Sequence, residues 1–163
     1  MLLAHGGAGR RALGRQQQQA LEASLAVGSA LLQAGGSALD AVEITIRTLE
    51  GSGMFNAGVG ANRQLDGIVR LDASIMDGAD LRAGAVASIQ GIRYPISAAR
   101  HVMDDTAHVL LVGSAATRFA TIMGVERYVA PRRPIETLPR PRSPLERHTL
   151  TLYRSVYQAE ARK

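Results

Sequence analysis

The residues able to do chemistry in this chain are few and poorly grouped. His5-Gly6-Gly7 supplies a glycine-rich backbone of the kind that donates N–H groups to a tetrahedral oxyanion. The hydrolase fold that uses such a loop also needs a Gly-x-Ser-x-Gly elbow, which is missing here, so a tight structural turn is the better reading. The four histidines, His5, His101, His108 and His148, have no His-Glu-x-x-His or comparable spacing, which argues against a transition-metal site. Asp72 and Asp77 lie in strand-like sequence at an odd separation, which sends their side chains to opposite faces. That pattern suits turn and structural carboxylates better than an acid–base pair. Gly58-Val59-Gly60 lacks the third glycine and the lysine of a phosphate loop, so nucleotide binding has no support. With no cysteine, a disulfide framework, a zinc ribbon and a thiol nucleophile are all excluded.

Charge is segregated along the 163 residues. Residues 1–124 hold all seventeen glycines and balance ten basic against ten acidic side chains, whereas 125–163 hold five of the six prolines, nine basic residues and four acidic ones. The whole +5 charge therefore belongs to the second segment. Such a tail could neutralise phosphates. Its only aromatics are Tyr128, Tyr153 and Tyr157, with no evident stacking platform, so a flexible solvated segment is favoured over nucleic-acid binding. An apolar content of 46% is that of a globular domain. No apolar run approaches the roughly 18 residues of a membrane span and no secretory pattern opens the chain, so the expectation is a cytoplasmic protein without membrane partners.

The elements that must position these residues follow from periodicity and punctuation. Residues 2–4 read as a strand entering a glycine turn, and 13–34 as a helix with Leu21, Leu25, Leu31 and Leu32 at helical spacing, stopped by Gly35-Gly36. Ser37 and Asp40 open a second helix whose expected buried stripe is Leu39, Val42, Ile46 and Leu49. The glycine-punctuated loop that follows, to Gly60, is too apolar for an exposed linker and should pack inside the fold. Asp66-Gly67, between Gln64-Leu65 and Ile68-Val69, signals a hairpin, Asp77-Gly78 repeats the signal after 71–76, and 83–89 reads as a further strand. Pro95 begins a helix to about residue 103, 108–112 reads as a strand and 115–123 as a helix. Residues 125–144 should stay extended, and 145–163 could form a closing helix.

His5-Gly6-Gly7-Ala8-Gly9, Ser37-Ala38-Leu39-Asp40-Ala41-Val42, Phe55-Asn56-Ala57-Gly58-x-Gly60, Leu71-Asp72-Ala73-Ser74-Ile75-Met76-Asp77-Gly78, Arg82-Ala83-Gly84-Ala85-Val86-Ala87, Pro95-Ile96-Ser97 and His108-Val109-Leu110-Leu111-Val112-Gly113 occur in the order found in plant-type L-asparaginases, or isoaspartyl peptidases. From about residue 2 to 127 the chain resembles the α subunit of that family. The resemblance implies an α+β fold, a four-layer αββα sandwich of the N-terminal-nucleophile hydrolases, with residues 1–124 forming part of the sandwich and 125–163 a linker toward an autocleavage site. It implies hydrolysis of L-asparagine, of β-aspartyl dipeptides, or of both, by an N-terminal threonine on a separate β subunit. The partners expected are that β subunit, in an (αβ)2 heterotetramer, and a small-molecule or dipeptide substrate. The family cuts between Gly and Thr, and no Gly-Thr pair occurs here, so the nucleophile lies outside the chain. No cofactor is expected for the chemistry. A structural sodium ion is implied, bound by the main-chain carbonyls of Leu49, Glu50, Ser52, Phe55, Ala57 and Val59, with Asn56 beside the nucleophile as a supporting residue. A glycosylasparaginase-like or taspase-like hydrolase, a non-catalytic subunit and a nucleic-acid-binding module using the basic tail are the other readings.

Overall fold

A computed structural model describes residues 1–7, 14–64, 67–129, 144–145, 147–148 and 151–152. The chain divides into two compact units, one of Met1–Asn62 with Arg70–Val129 and the other of Arg63–Val69 with Ala130–Lys163.

The first unit is α+β. Helix α1, Arg15–Gln33, has its N-terminal amides met partly by Gln17, whose Oε1 accepts from Gly14 N at 3.0 Å. It ends in a Schellman closure, with Gly35 N donating to Leu32 O at 3.1 Å and Gly36 N to Leu31 O at 2.9 Å. Helix α2, Ala38–Ser52, is capped by Ser37, whose hydroxyl accepts from Asp40 N at 3.1 Å. A 3-10 turn, Gly58–Gly60, follows. Strand β1, Leu71–Met76, pairs antiparallel with β2, Ala83–Ile89, around the Asp77-Gly78 turn. Helix α3, Pro95–Asp105, returns the chain so that β3, Leu110–Val112, runs parallel to β2. Helix α4, Gly113–Ile122, closes as α1 does, with Gly124 N on Thr121 O at 3.2 Å and Val125 N on Ala120 O at 2.9 Å. The sheet order is β1-β2-β3.

Two sequence expectations change. Residues 2–4 pair with no strand among the described residues; a strand needs a neighbour's ladder, and this segment lies instead along α2, where Leu2, His5, Val42 and Ile46 border a groove of about 180 Å3. In the second unit a turn closes at the expected hairpin, with Gln64 N on Ile68 O and Gly67 N on Gln64 O, both at 2.9 Å, but the described residues 64 and 67–69 are not in a strand. Of the 145–163 helix, 144–145, 147–148 and 151–152 are helical, and the remainder lies outside the described residues, as does 130–143.

The α1–α2 contact also differs from the leucine stripes expected. Its buried residues are small: Ser24 and Gly28 on α1 against Ala41 and Thr45 on α2. A methyl group on Gly28 would fall 3.0 Å from Ala41 O and overlap the Thr45 hydroxyl. Small side chains let the backbones approach, which moves Leu21, Leu25, Leu31 and Leu32 to half-buried flanks and leaves Val42 exposed, while Leu49 of the expected stripe is buried.

One face of the sheet is covered and the other is open. Gly84, Val86 and Ile89 on β2, with Leu71 and Ile75 on β1, are buried, and a methyl group on Gly84 would fall 2.5 Å from Met103 N of α3. On the opposite face the paired residues Met76 and Ala83, Ala85 and Leu110, and Ala87 and Val112 lie side by side. There Met76 is 57% exposed, Leu110 52% and Val112 54%. An apolar face this open is what a sheet presents to a second layer.

Candidate functional site

The site is built where α2 stops. Unlike α1 and α4, α2 ends at left-handed Gly53 without a Schellman closure among the described residues, so the carbonyls of its last turn keep acceptor capacity and the negative end of the helix dipole. Leu49 O accepts from the Ser52 hydroxyl at 2.7 Å, and Ala57 O from Gly60 N at 3.1 Å. A carbonyl oxygen has two lone pairs, so these groups still have one to give. The loop then folds back onto the helix end. At Gly58, φ is +51° and an added methyl group would lie 2.5 Å from Glu50 O; at Gly60 it would lie 2.6 Å from Gly53 O and overlap Phe55 O. Glycine is required at both places because carbonyl oxygens crowd the space.

All six residues whose carbonyls the sequence singled out, Leu49, Glu50, Ser52, Phe55, Ala57 and Val59, thus belong to the α2 terminus and the turn folded against it. Phe55 is buried, and its ring packs on Gly6 of the His5-Gly6-Gly7 turn, where a methyl group would meet Cε1 at 2.6 Å. That turn is tightened by Gly7 N donating to His5 Nδ1 at 3.1 Å, in keeping with a structural role for His5. Asn56 is exposed, and its Oδ1 accepts from Asn62 N at 2.8 Å, which closes the loop on itself. Asp72 and Asp77 act as structural carboxylates, as expected: Asp72 accepts from the amide of Ser88, a non-glycine residue at φ +55°, at 2.7 Å, and Asp77 from Ala79 N at 2.9 Å. No three His, Asp or Glu side chains gather as metal ligands among the described residues.

Sequence reasoning valued Glu50 for its carbonyl and missed its side chain. Glu50 is 3% exposed; its Oε1 accepts from Ile96 N of α3 at 3.2 Å, and Oε2 has no hydrogen-bond partner. Burial pushes the acid up to about 8, against the opposing pull of the Ile96 amide and the Arg47 charge. Helical spacing could have found it, since Glu50 stands four residues after Ile46 of the expected apolar stripe. Around it, Arg47 lies over the Tyr94 ring at 4.2 Å and donates to Ser97 Oγ at 2.6 Å, and Ser97 donates to Glu43 at 2.6 Å.

A family model described as asparaginase matches residues 1–137. The chain belongs to the asparaginase family. Over 131 residues it is 48% identical to the plant-type L-asparaginase of Pyrococcus abyssi, an alignment covering 78% of this chain and 42% of that protein. It is 45% identical over 130 residues to the isoaspartyl peptidase of Salmonella typhimurium, covering 76% and 42%, and 42% identical over 135 residues to the isoaspartyl peptidase/L-asparaginase of Rattus norvegicus, covering 82% and 39%. The asparaginase-family chain therefore spans less than half the length of each of these relatives. No helix among its described residues is long and apolar enough to cross a membrane.

Proposed function

We propose that this chain is the α-subunit portion of an amide hydrolase that converts L-asparagine to aspartate and ammonia, cleaves β-aspartyl dipeptides, or does both, with a threonine nucleophile on a β subunit of the same precursor. The match across residues 1–137 carries this reading. In the reaction the threonine oxygen adds to the side-chain amide carbon, the amine or ammonia departs as the C–N bond breaks, and water then hydrolyses the β-aspartyl ester to release aspartate.

The chain's own contribution is architectural. Its open sheet face supplies one inner surface of a four-layer αββα sandwich, and the β subunit supplies the facing sheet; two such heterodimers form the (αβ)2 assembly. The α2 terminus and the turn after it fit a hard cation. The donors are neutral carbonyl oxygens at the negative end of a helix, and glycine holds them close at Gly58 and Gly60. Leu49, Glu50, Ser52, Phe55, Ala57 and Val59 would hold sodium through those oxygens. When bound, the ion fixes the course of the loop and takes no part in bond breaking. Asn56, held by its bond to Asn62 N, then presents its amide beside the nucleophile.

Steady-state hydrolysis of L-asparagine and of a β-aspartyl dipeptide by the full-length protein tests the assignment. Turnover of either substrate is expected, and release of neither aspartate nor ammonia would overturn it.

A further inference from the structure

We propose that the carboxyl of Glu50 is a positioning group that locks the loop at 53–60 to the first turn of α3. The first turn of α3 has an unusual shortage of partners. Its N-cap is Tyr94, which offers no capping side chain, and Pro95 at the first helical position has no N–H. Ser97 N and Ala98 N both reach Tyr94 O, at 3.1 and 3.5 Å. The Ile96 amide is the donor left over, and Glu50 Oε1 reaches it across 46 residues of sequence.

The same residue is gripped from the other side. Gly58 presses on Glu50 so closely that an added methyl group would fall 2.5 Å from its carbonyl oxygen and 2.6 Å from its Cβ. The end of α2 is thus clamped between its own following loop and residues 94–96. The arrangement keeps Oε2 buried without a hydrogen-bond partner, which is unfavourable for the folded chain. Glu50 transmits position: a shift of α3 pulls the α2 terminus, and the loop that carries Asn56 follows.

This inference goes beyond the hydrolase reading and needs neither an ion nor turnover, so its failure is separable from failure of that reading. Hydrogen exchange of the full-length protein tests it, comparing wild type with Glu50→Met, which keeps the volume without an acceptor, and Glu50→Gln, which restores a carbonyl oxygen at the same reach. Glu50→Met should exchange about tenfold faster both at 94–98 and at 53–60, the size of a lost helix cap, while Glu50→Gln holds both within about twofold of wild type. Faster exchange confined to 94–98, no change in either segment, or a Gln variant as fast as Met would overturn the coupling. Should the Met variant not accumulate as folded protein, Glu50→Asp, one methylene short of Ile96, should show the same paired acceleration.

Discussion

At the scale of single residues, Glu50 concentrates the unusual energetics. Its carboxyl is raised from an ordinary 4.5 to about 8, first by burial, so between those values the folded chain holds a proton that the unfolded chain has released. The sign follows from linkage: this contribution to stability is complete below the unfolded pKa and is lost as pH rises through the folded one. Over that range the loss is at most about 5 kcal/mol. In sodium-free buffer, raising the pH from about 5 to about 9 should lower the melting temperature of wild type more than that of Glu50→Gln, and parallel curves would refute the assignment. Gly58 gives a second residue-scale prediction. Alanine there meets both a left-handed φ and the Glu50 carbonyl, and should cost about 2–3 kcal/mol in urea unfolding of the full-length protein. The position of Leu49, Glu50, Ser52, Phe55, Ala57 and Val59 at the end of α2 and in the loop after it was legible from the glycines that punctuate that stretch. For the Glu50 carboxyl, helical spacing signalled burial but not its partner, because the Ile96 amide lies 46 positions away.

At the scale of elements, the punctuation was easier to read than the packing. Gly35-Gly36, Ser37, Pro95 and Asp77-Gly78 marked their boundaries because capping and turn chemistry is local, and α1, α2, β1, β2, α3, β3 and α4 all appear where those signals put them. Residues 2–4 failed as a strand because apolar character does not specify a pairing partner. The α1–α2 contact was misread because leucines attract attention, while the actual contact is set by Ser24, Gly28, Ala41 and Thr45, whose importance lies in being small. Gly84 tests this close-approach principle where α3 lies on β2. Alanine would overlap Ala99 O and fall 2.5 Å from Met103 N, backbone atoms that cannot rotate away. Gly84→Ala should therefore destabilise by about 3 kcal/mol, whereas Gly78→Ala, with no neighbour within 4 Å, should change little. Thermal denaturation of both variants checks the contrast.

At the scale of the whole molecule, the open face made of Met76, Leu110 and Val112 shows that the first unit leaves apolar surface unsatisfied. By itself the chain should therefore self-associate. Replacing Leu110 and Val112 with lysine should reduce that association, read by light scattering, and, on the proposed reading, should also weaken assembly with a β subunit. The basic segment that first attracted attention as a nucleic-acid footprint becomes, in this reading, a linker toward a cleavage site. Intact-mass analysis of the full-length protein, with N-terminal sequencing and an asparagine assay on the same sample, tests the assignment most directly. Two chains are expected, the second beginning with threonine, and activity should appear only once cleavage has occurred. A single uncut chain that hydrolyses asparagine, or a cleaved pair whose second chain begins with any other residue, would contradict it.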